Sequence, residues 1–161
     1  MVSREDLKKV VIIGYLEDYM LDKLIPFVDL LIFEERETIF KEKEPATRFY
    51  MVKRGKVVLE QRISDNITVS VGAIKPGFSF GWSAILTDGT YTSDAVCSEY
   101  SEVFSVRSDK LRNLLDNDHS MGYMLTQRIL KVIKTRLDHR TEQFIRAVTS
   151  HPDIESLLDK Q

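Results

Sequence analysis

The sequence predicts an α+β fold: an antiparallel double-stranded β-roll of about eight strands, with helices before it and a long helix after it. Three observations carry this expectation. Apolar residues recur at helical spacing through the first 33 residues, alternate with period two from about Thr38 to Val106, and return to helical spacing from Ser108 onward. The middle block is rich in β-branched and aromatic residues, and turn-forming residues cut it at short intervals. A sandwich has the same periodicity, so the pattern alone does not separate the two.

In the N-terminal block, Leu16, Met20, Leu24, Val28 and Leu31 predict helices over residues 1–33, with a break or kink at Pro26, which lacks a backbone donor. In the middle block, residues 38–106, Phe49 alternates with Met51, Val57 with Leu59, and Ile67 with Val69 and Val71. The turns fall at Glu44-Pro45, Arg54-Gly55, Ser64-Asp65-Asn66, Lys75-Pro76-Gly77 and Thr87-Asp88-Gly89. In the C-terminal block, residues 108–149, Ser108 or Asp109 is the expected N-cap of a helix over Lys110 to Leu115, and Asn117-Asp118 is a break. A second helix then runs from His119 to Val148. Leu125, Ile129, Val132, Ile133, Leu137, Phe144 and Val148 are expected near one face, and His151-Pro152 is the stop. The tail, Asp153 to Gln161, reads as a short helix or a frayed end. All three blocks form one domain over residues 1–161.

Composition narrows the function classes. The chain has 161 residues, 43% hydrophobic and 30% charged, a balance ordinary for a soluble domain with a real core. A net charge of −2 gives no general attraction to nucleic acid or anionic lipid. One cysteine, Cys97, makes neither an internal disulfide nor a zinc site, so a cytoplasmic setting is the default expectation. No apolar run approaches the roughly 20 residues of a membrane helix, and the charged start, MVSREDLKK, is unlike a signal peptide. Enzyme chemistry finds little support. His119, His139 and His151 have no companion pattern, and nucleophile-elbow, CxxC and zinc-protease motifs are absent.

One stretch does carry chemistry. Gly77 and Gly81 permit positive-φ backbone. After Gly81, the residues Trp82, Ser83, Ala84, Ile85 and Leu86 suit one short helical turn, whose N–H groups would face an anion. Tyr91, Thr92 and Ser93 offer hydroxyls on the next loop.

Three segments give this chain a family resemblance over Leu7 to Arg146: ETIFKEKEPA within 16–46, RFYMVKRGKVVL at 48–59, and IKPGFSFGWSAILTDGTYTSDAV at 74–96. The chain resembles the cyclic-nucleotide-binding domain of the catabolite activator superfamily, whose fold is a jelly-roll or cupin-like β-roll. The third segment is similar to that family's phosphate-binding cassette. The resemblance implies a regulatory, ligand-sensing role and a ligand-binding set of Phe80, Gly81, Trp82, Ser83, Ala84, Tyr91, Thr92 and Ser93. Val132 and Arg136, on the long helix that closes over the ligand in the family, complete it. It also implies a homodimer through the 119–148 helix and an unidentified downstream protein partner. Only residues 149–161 follow that helix, too few for the family's helix-turn-helix, so no DNA-binding domain is expected within this chain.

The cassette departs from the family at two positions. Trp82 stands where cyclic-nucleotide binders have the Glu that holds the ribose. Thr92 stands at the Arg that pairs with the phosphate. Loss of that charge-assisted contact removes about 1.5–3 kcal/mol, on the order of tenfold to a hundredfold in affinity. Three readings follow. The pocket takes a noncanonical nucleotide or another small anion, with Trp82 stacked on a planar group and Arg128 or Arg136 supplying the cation. Alternatively, Trp82 fills the pocket and the module is structural. Or cAMP and cGMP still bind, weakly. No cofactor beyond a cyclic nucleotide or related small anion is expected.

Overall fold

Two four-stranded antiparallel sheets face one another in the computed structural model, which describes residues 2–152 and 154. The strands are β1 (Val28–Phe33), β2 (Thr38–Phe40), β3 (Arg48–Arg54), β4 (Val57–Ser64), β5 (Ile67–Ile74), β6 (Ser79–Phe80), β7 (Asp94–Cys97) and β8 (Ser101–Arg107). One sheet has the order β1-β8-β3-β6 and the other β2-β7-β4-β5. Apart from the β4–β5 hairpin, chain neighbours are thus dealt between the sheets, and the roll is the predicted one. The turns lie at the predicted residues: Gly55 and Gly77 both have positive φ, and Phe78 N–H closes the second turn onto Lys75 O at 3.1 Å.

Among the described residues four α-helices accompany the sheets: α1 (Arg4–Lys8), α2 (Asp18–Leu24), α3 (Ser108–Asn117) and α4 (His119–Thr149). Ser3 caps α1 reciprocally with Asp6. In the N-terminal helices and their connection, Leu7, Val10, Ile12, Ile13, Leu16, Met20, Leu21 and Leu24 are buried, while Val11 and Tyr19 are exposed.

The structure corrects the expectation of helix through residue 33. A 3-10 turn, Ile25–Phe27, containing Pro26 ends α2, and Val28–Phe33 is strand β1, paired with β8 from Val28↔Val106 to Phe33↔Ser101. Val28 and Leu31 satisfy helical spacing, but six residues also satisfy a strand, and the partner that decides lies over seventy positions away. The N-cap of α3 is corrected too. It is Arg107, with no side-chain cap, and the Asp109 carboxylate instead receives the Arg107 guanidinium at 3.0 Å. The predicted break at Asp118 is present, and its carboxylate accepts the Met121 N–H at 3.0 Å and pairs with Lys23 at 2.6 Å. These two contacts hold that carboxyl below the usual range, the Lys23 bond foremost.

The chain divides into two compact units after Leu125, within α4. In the first unit, Met121 and Leu125 are fully buried. In the second, Leu130, Ile133, Leu137, Phe144 and Val148 are exposed. The residues expected near one face from Leu125 to Val148 therefore do not share one environment: Leu125 is buried, whereas from Leu137 to Thr149 every residue of α4 is exposed. Of the tail predicted as helix or frayed end, Asp153 and residues 155–161 lie outside the described residues.

Candidate functional site

The cassette is built from its glycines. Gly81 follows β6 in the left-handed region, φ 74° and ψ 33°. A Cβ there would also lie 3.1 Å from Tyr50 Cδ2 and 3.2 Å from Arg48 O, so conformation and space both call for glycine. The 3-10 turn Trp82–Ile85 follows, closed by Ala84 N–H to Gly81 O at 3.0 Å and Leu86 N–H to Ser83 O at 3.2 Å. Gly89 packs its backbone on the Ser83 carbonyl, where a Cβ would collide.

The loop beyond is fastened to residues 43–46. Ala46 N–H donates to Gly89 O at 2.8 Å, Tyr91 N–H to Glu44 O at 3.0 Å, and Lys43 N–H to Tyr91 O at 2.8 Å. From β4, Gln61 Nε2 donates to Thr92 O at 2.8 Å. From α3, Arg112 Nη1 donates to Ala84 O at 3.3 Å and Leu86 O at 3.0 Å. Sequence reasoning missed Gln61 and Arg112, since side chains that bond distant backbone carbonyls leave no motif.

The predicted site residues separate into groups. Phe80 is fully buried, stacked on Tyr50 with centroids 5.2 Å apart. Phe40 lies 5.6 Å from Tyr50 and stacks on Tyr91 at 3.6 Å. Phe40 belongs to the other sheet, so this four-ring cluster occupies the space between the sheets. Tyr91 therefore turns inward, and its hydroxyl donates to Arg48 O at 2.7 Å and accepts Arg48 N–H at 3.2 Å. Burial pushes both phenols up: foremost for Tyr91, and for Tyr50 with the neighbouring Tyr91 hydroxyl adding to it.

Trp82 goes the other way. Its indole meets Phe49 edge-on, centroids 5.2 Å apart at 61°. Consecutive strand residues point to opposite faces, so Phe49 lies on the face of β3 away from Tyr50, and Trp82 packs on that face too. The Trp82 indole thus packs on Phe49 and not on the rings between the sheets. Ala84 is fully buried and Ser83 half-buried. Thr92 is exposed, and Ser93 is 6% exposed, on the same alternation as the fully buried Ala95 and Cys97. None of the hydrogen bonds that fasten the cassette uses the Ser93 hydroxyl. Val132 and Arg136 lie on α4 in the second unit.

The electrostatics are spare. Residues 81–97 contain Asp88 and Asp94 and no Lys or Arg. A concavity of about 390 Å³ lined by Thr47, Arg48, Arg107, Ser108 and Asp109 has two arginines. Both are matched: Arg48 bonds Asp29 and Ser105, and Arg107 forks onto Asp109. Cys97 is buried in β7, which pushes its thiol up and makes it a poor nucleophile. His119, His139 and His151 are exposed. Among the described residues no helix is long and apolar enough to cross a membrane.

Comparison with known proteins agrees with this architecture. A family model described as the cyclic nucleotide-binding domain matches residues 30–118, more than half of the chain. A cAMP-dependent protein kinase regulatory subunit of Dictyostelium discoideum is 27% identical over 113 residues, 68% of this chain and 35% of that protein. The chain thus spans about a third of the length of that curated relative. A solved structure from Geobacter metallireducens, titled as a cyclic nucleotide-binding protein on provisional grounds, superposes with TM-score 0.75 at 25% identity. It covers 85% of this chain and 99% of that one. The catabolite activator protein of Thermus thermophilus has the same fold, with TM-score 0.71 at 17% identity, over 85% of this chain and 62% of that one. The chain belongs to the cyclic nucleotide-binding domain family.

Proposed function

We propose that this chain is a ligand-sensing regulatory module, not an enzyme, that binds a noncanonical nucleotide or another small anion at the Gly81 cassette. The observation that carries the reading is a cassette whose backbone is intact while its charged side chains are gone. Gly81 is left-handed, and Ser93 lies buried with its hydroxyl outside the cassette's own bonds. Trp82 has turned onto Phe49, and Thr92 is a neutral, exposed residue. A cyclic phosphate therefore meets hydroxyls and amides but no guanidinium from residues 81–97, and cAMP or cGMP binds weakly. The ligand of choice brings either less charge or a shape that draws its cation from outside the cassette.

A melting-temperature screen tests this, using cAMP, cGMP, linear and modified nucleotides, and inorganic phosphate. The reading expects a clear upward shift with a nucleotide or anion other than cAMP and cGMP. Uniform silence across the set would contradict it.

A second reading is favoured by one observation: Tyr91, stacked on Phe40, already occupies space beneath the cassette. On that reading the roll is closed and the module is an interaction domain. The pocket would then open only when Tyr91 is cut back to Ala.

We also place the domain in the cytoplasm, with a downstream protein partner of unknown identity, and read it as a homodimer through α4. Leu130, Leu137 and Phe144 are exposed and recur every seven residues, with Ile133 and Val148 alongside, as in a coiled-coil seam. Arg140 interrupts the seam. Light scattering at micromolar concentration checks it: twice the chain mass is expected, and a monomer removes the seam.

A further inference from the structure

The cassette turn ends without a charged residue of its own, yet a cation sits on its last carbonyls. Arg112, half-buried on α3, gives Nη1 to both Ala84 O and Leu86 O. Those carbonyls belong to the C-terminal end of the 3-10 turn, where backbone acceptors lack intrahelical donors and the local dipole is negative. One nitrogen bridging two carbonyls holds the end of the turn at a set distance from α3. It does so at a point that neither Gly81 nor the fastenings at residues 43–46 reach. α3 packs in turn on α2 and β8 and runs through Asp118 into α4. Asp118 is itself tied to Lys23 of α2 and to the Met121 N–H.

We infer that Arg112 is a positioning residue that clamps the end of the cassette turn to α3, next to the α3–α4 elbow. A clamp made by a side chain on backbone carbonyls tolerates any residue types within 82–86, including the substituted Trp82. The inference deepens the ligand-cassette reading and rests on it for its purpose, but its test needs no ligand. Failure of ligand binding and failure of the clamp therefore read out separately.

The test is amide hydrogen exchange on the full chain without ligand, comparing wild type with Arg112→Gln and Arg112→Lys. Hydrogen bonds from a charged group are worth enough that Arg112→Gln should raise exchange about tenfold over residues 82–91. A rise of about threefold is expected over 119–125, while β3 and β8 keep their protection. Arg112→Lys retains the charge but not the planar guanidinium, and should raise exchange over 82–91 by a smaller factor, about threefold. If Arg112→Gln does not fold, Arg112→Lys still decides through a small rise confined to 82–91. Exchange over 82–91 unchanged in the folded variants, or raised equally in β3 and β8, overturns the clamp.

Discussion

On one face of β3, Tyr50 lies among Phe80, Phe40 and Tyr91 between the sheets. On the other face, the next residue back, Phe49, lies against Trp82. Both Phe49 and Tyr50 are buried and in aromatic contact, but only Tyr50 faces the space between the sheets. The two substituted cassette positions divide along this line. Trp82 has joined the packing face, and Thr92 has gone to solvent. Neither side chain joins the ring cluster between the sheets, where Tyr91 stacks on Phe40.

This contrast can be broken at several points. Trp82→Ala should have the largest effect, about 3–5 kcal/mol in urea unfolding, because it empties the packing face beside Phe49. An unchanged midpoint would mean that the indole packs on nothing that matters. Tyr91→Phe keeps the stack on Phe40 but leaves Arg48 N–H and C=O without their phenol partner. A loss of about 1–2 kcal/mol is expected, and no loss would show that those two bonds are idle.

The smallest effect is a pH slope. Burial raises the pKa of both Tyr50 and Tyr91, so their neutral forms are favoured in the fold. Their contribution is fully present below the unfolded tyrosine value of about 10. It is lost as pH rises above that value toward the folded pKa, because the unfolded chain ionises first. Each tyrosine adds a slope of up to about 1.4 kcal/mol per pH unit. Chemical unfolding between neutral pH and pH 11 checks this, and Tyr91→Phe should remove part of the slope. A flat profile would place both phenols in water.

The roll was legible because its signal is collective: the change from helical period to period two, with turns at Gly55, Gly77 and Asp88-Gly89, survives errors at single residues. The cassette was legible for a similar reason, since Gly81 and the turn after it are local. What was not legible depends on partners far along the chain. Val28–Phe33 satisfied two periodicities, and only pairing with β8 selects the strand. The direction of Trp82 depends on which face of β3 the turn docks against, and Tyr91 read as a loop hydroxyl because nothing nearby announces Phe40 or the Arg48 backbone. Arg112 belongs to a helix twenty-six residues beyond the carbonyl it holds most closely, and no spacing rule marks such a contact.

The central proposal, that a cassette without a basic residue binds cyclic nucleotides weakly, is tested most directly by one calorimetric comparison. Wild type and Thr92→Arg would each be titrated with cAMP to millimolar concentration. The account predicts a wild-type affinity weaker than about 10 µM, or about −6.8 kcal/mol. It predicts a gain of about tenfold or more for Thr92→Arg. Wild-type binding tighter than about 10 µM, or no gain from the restored arginine, would contradict it.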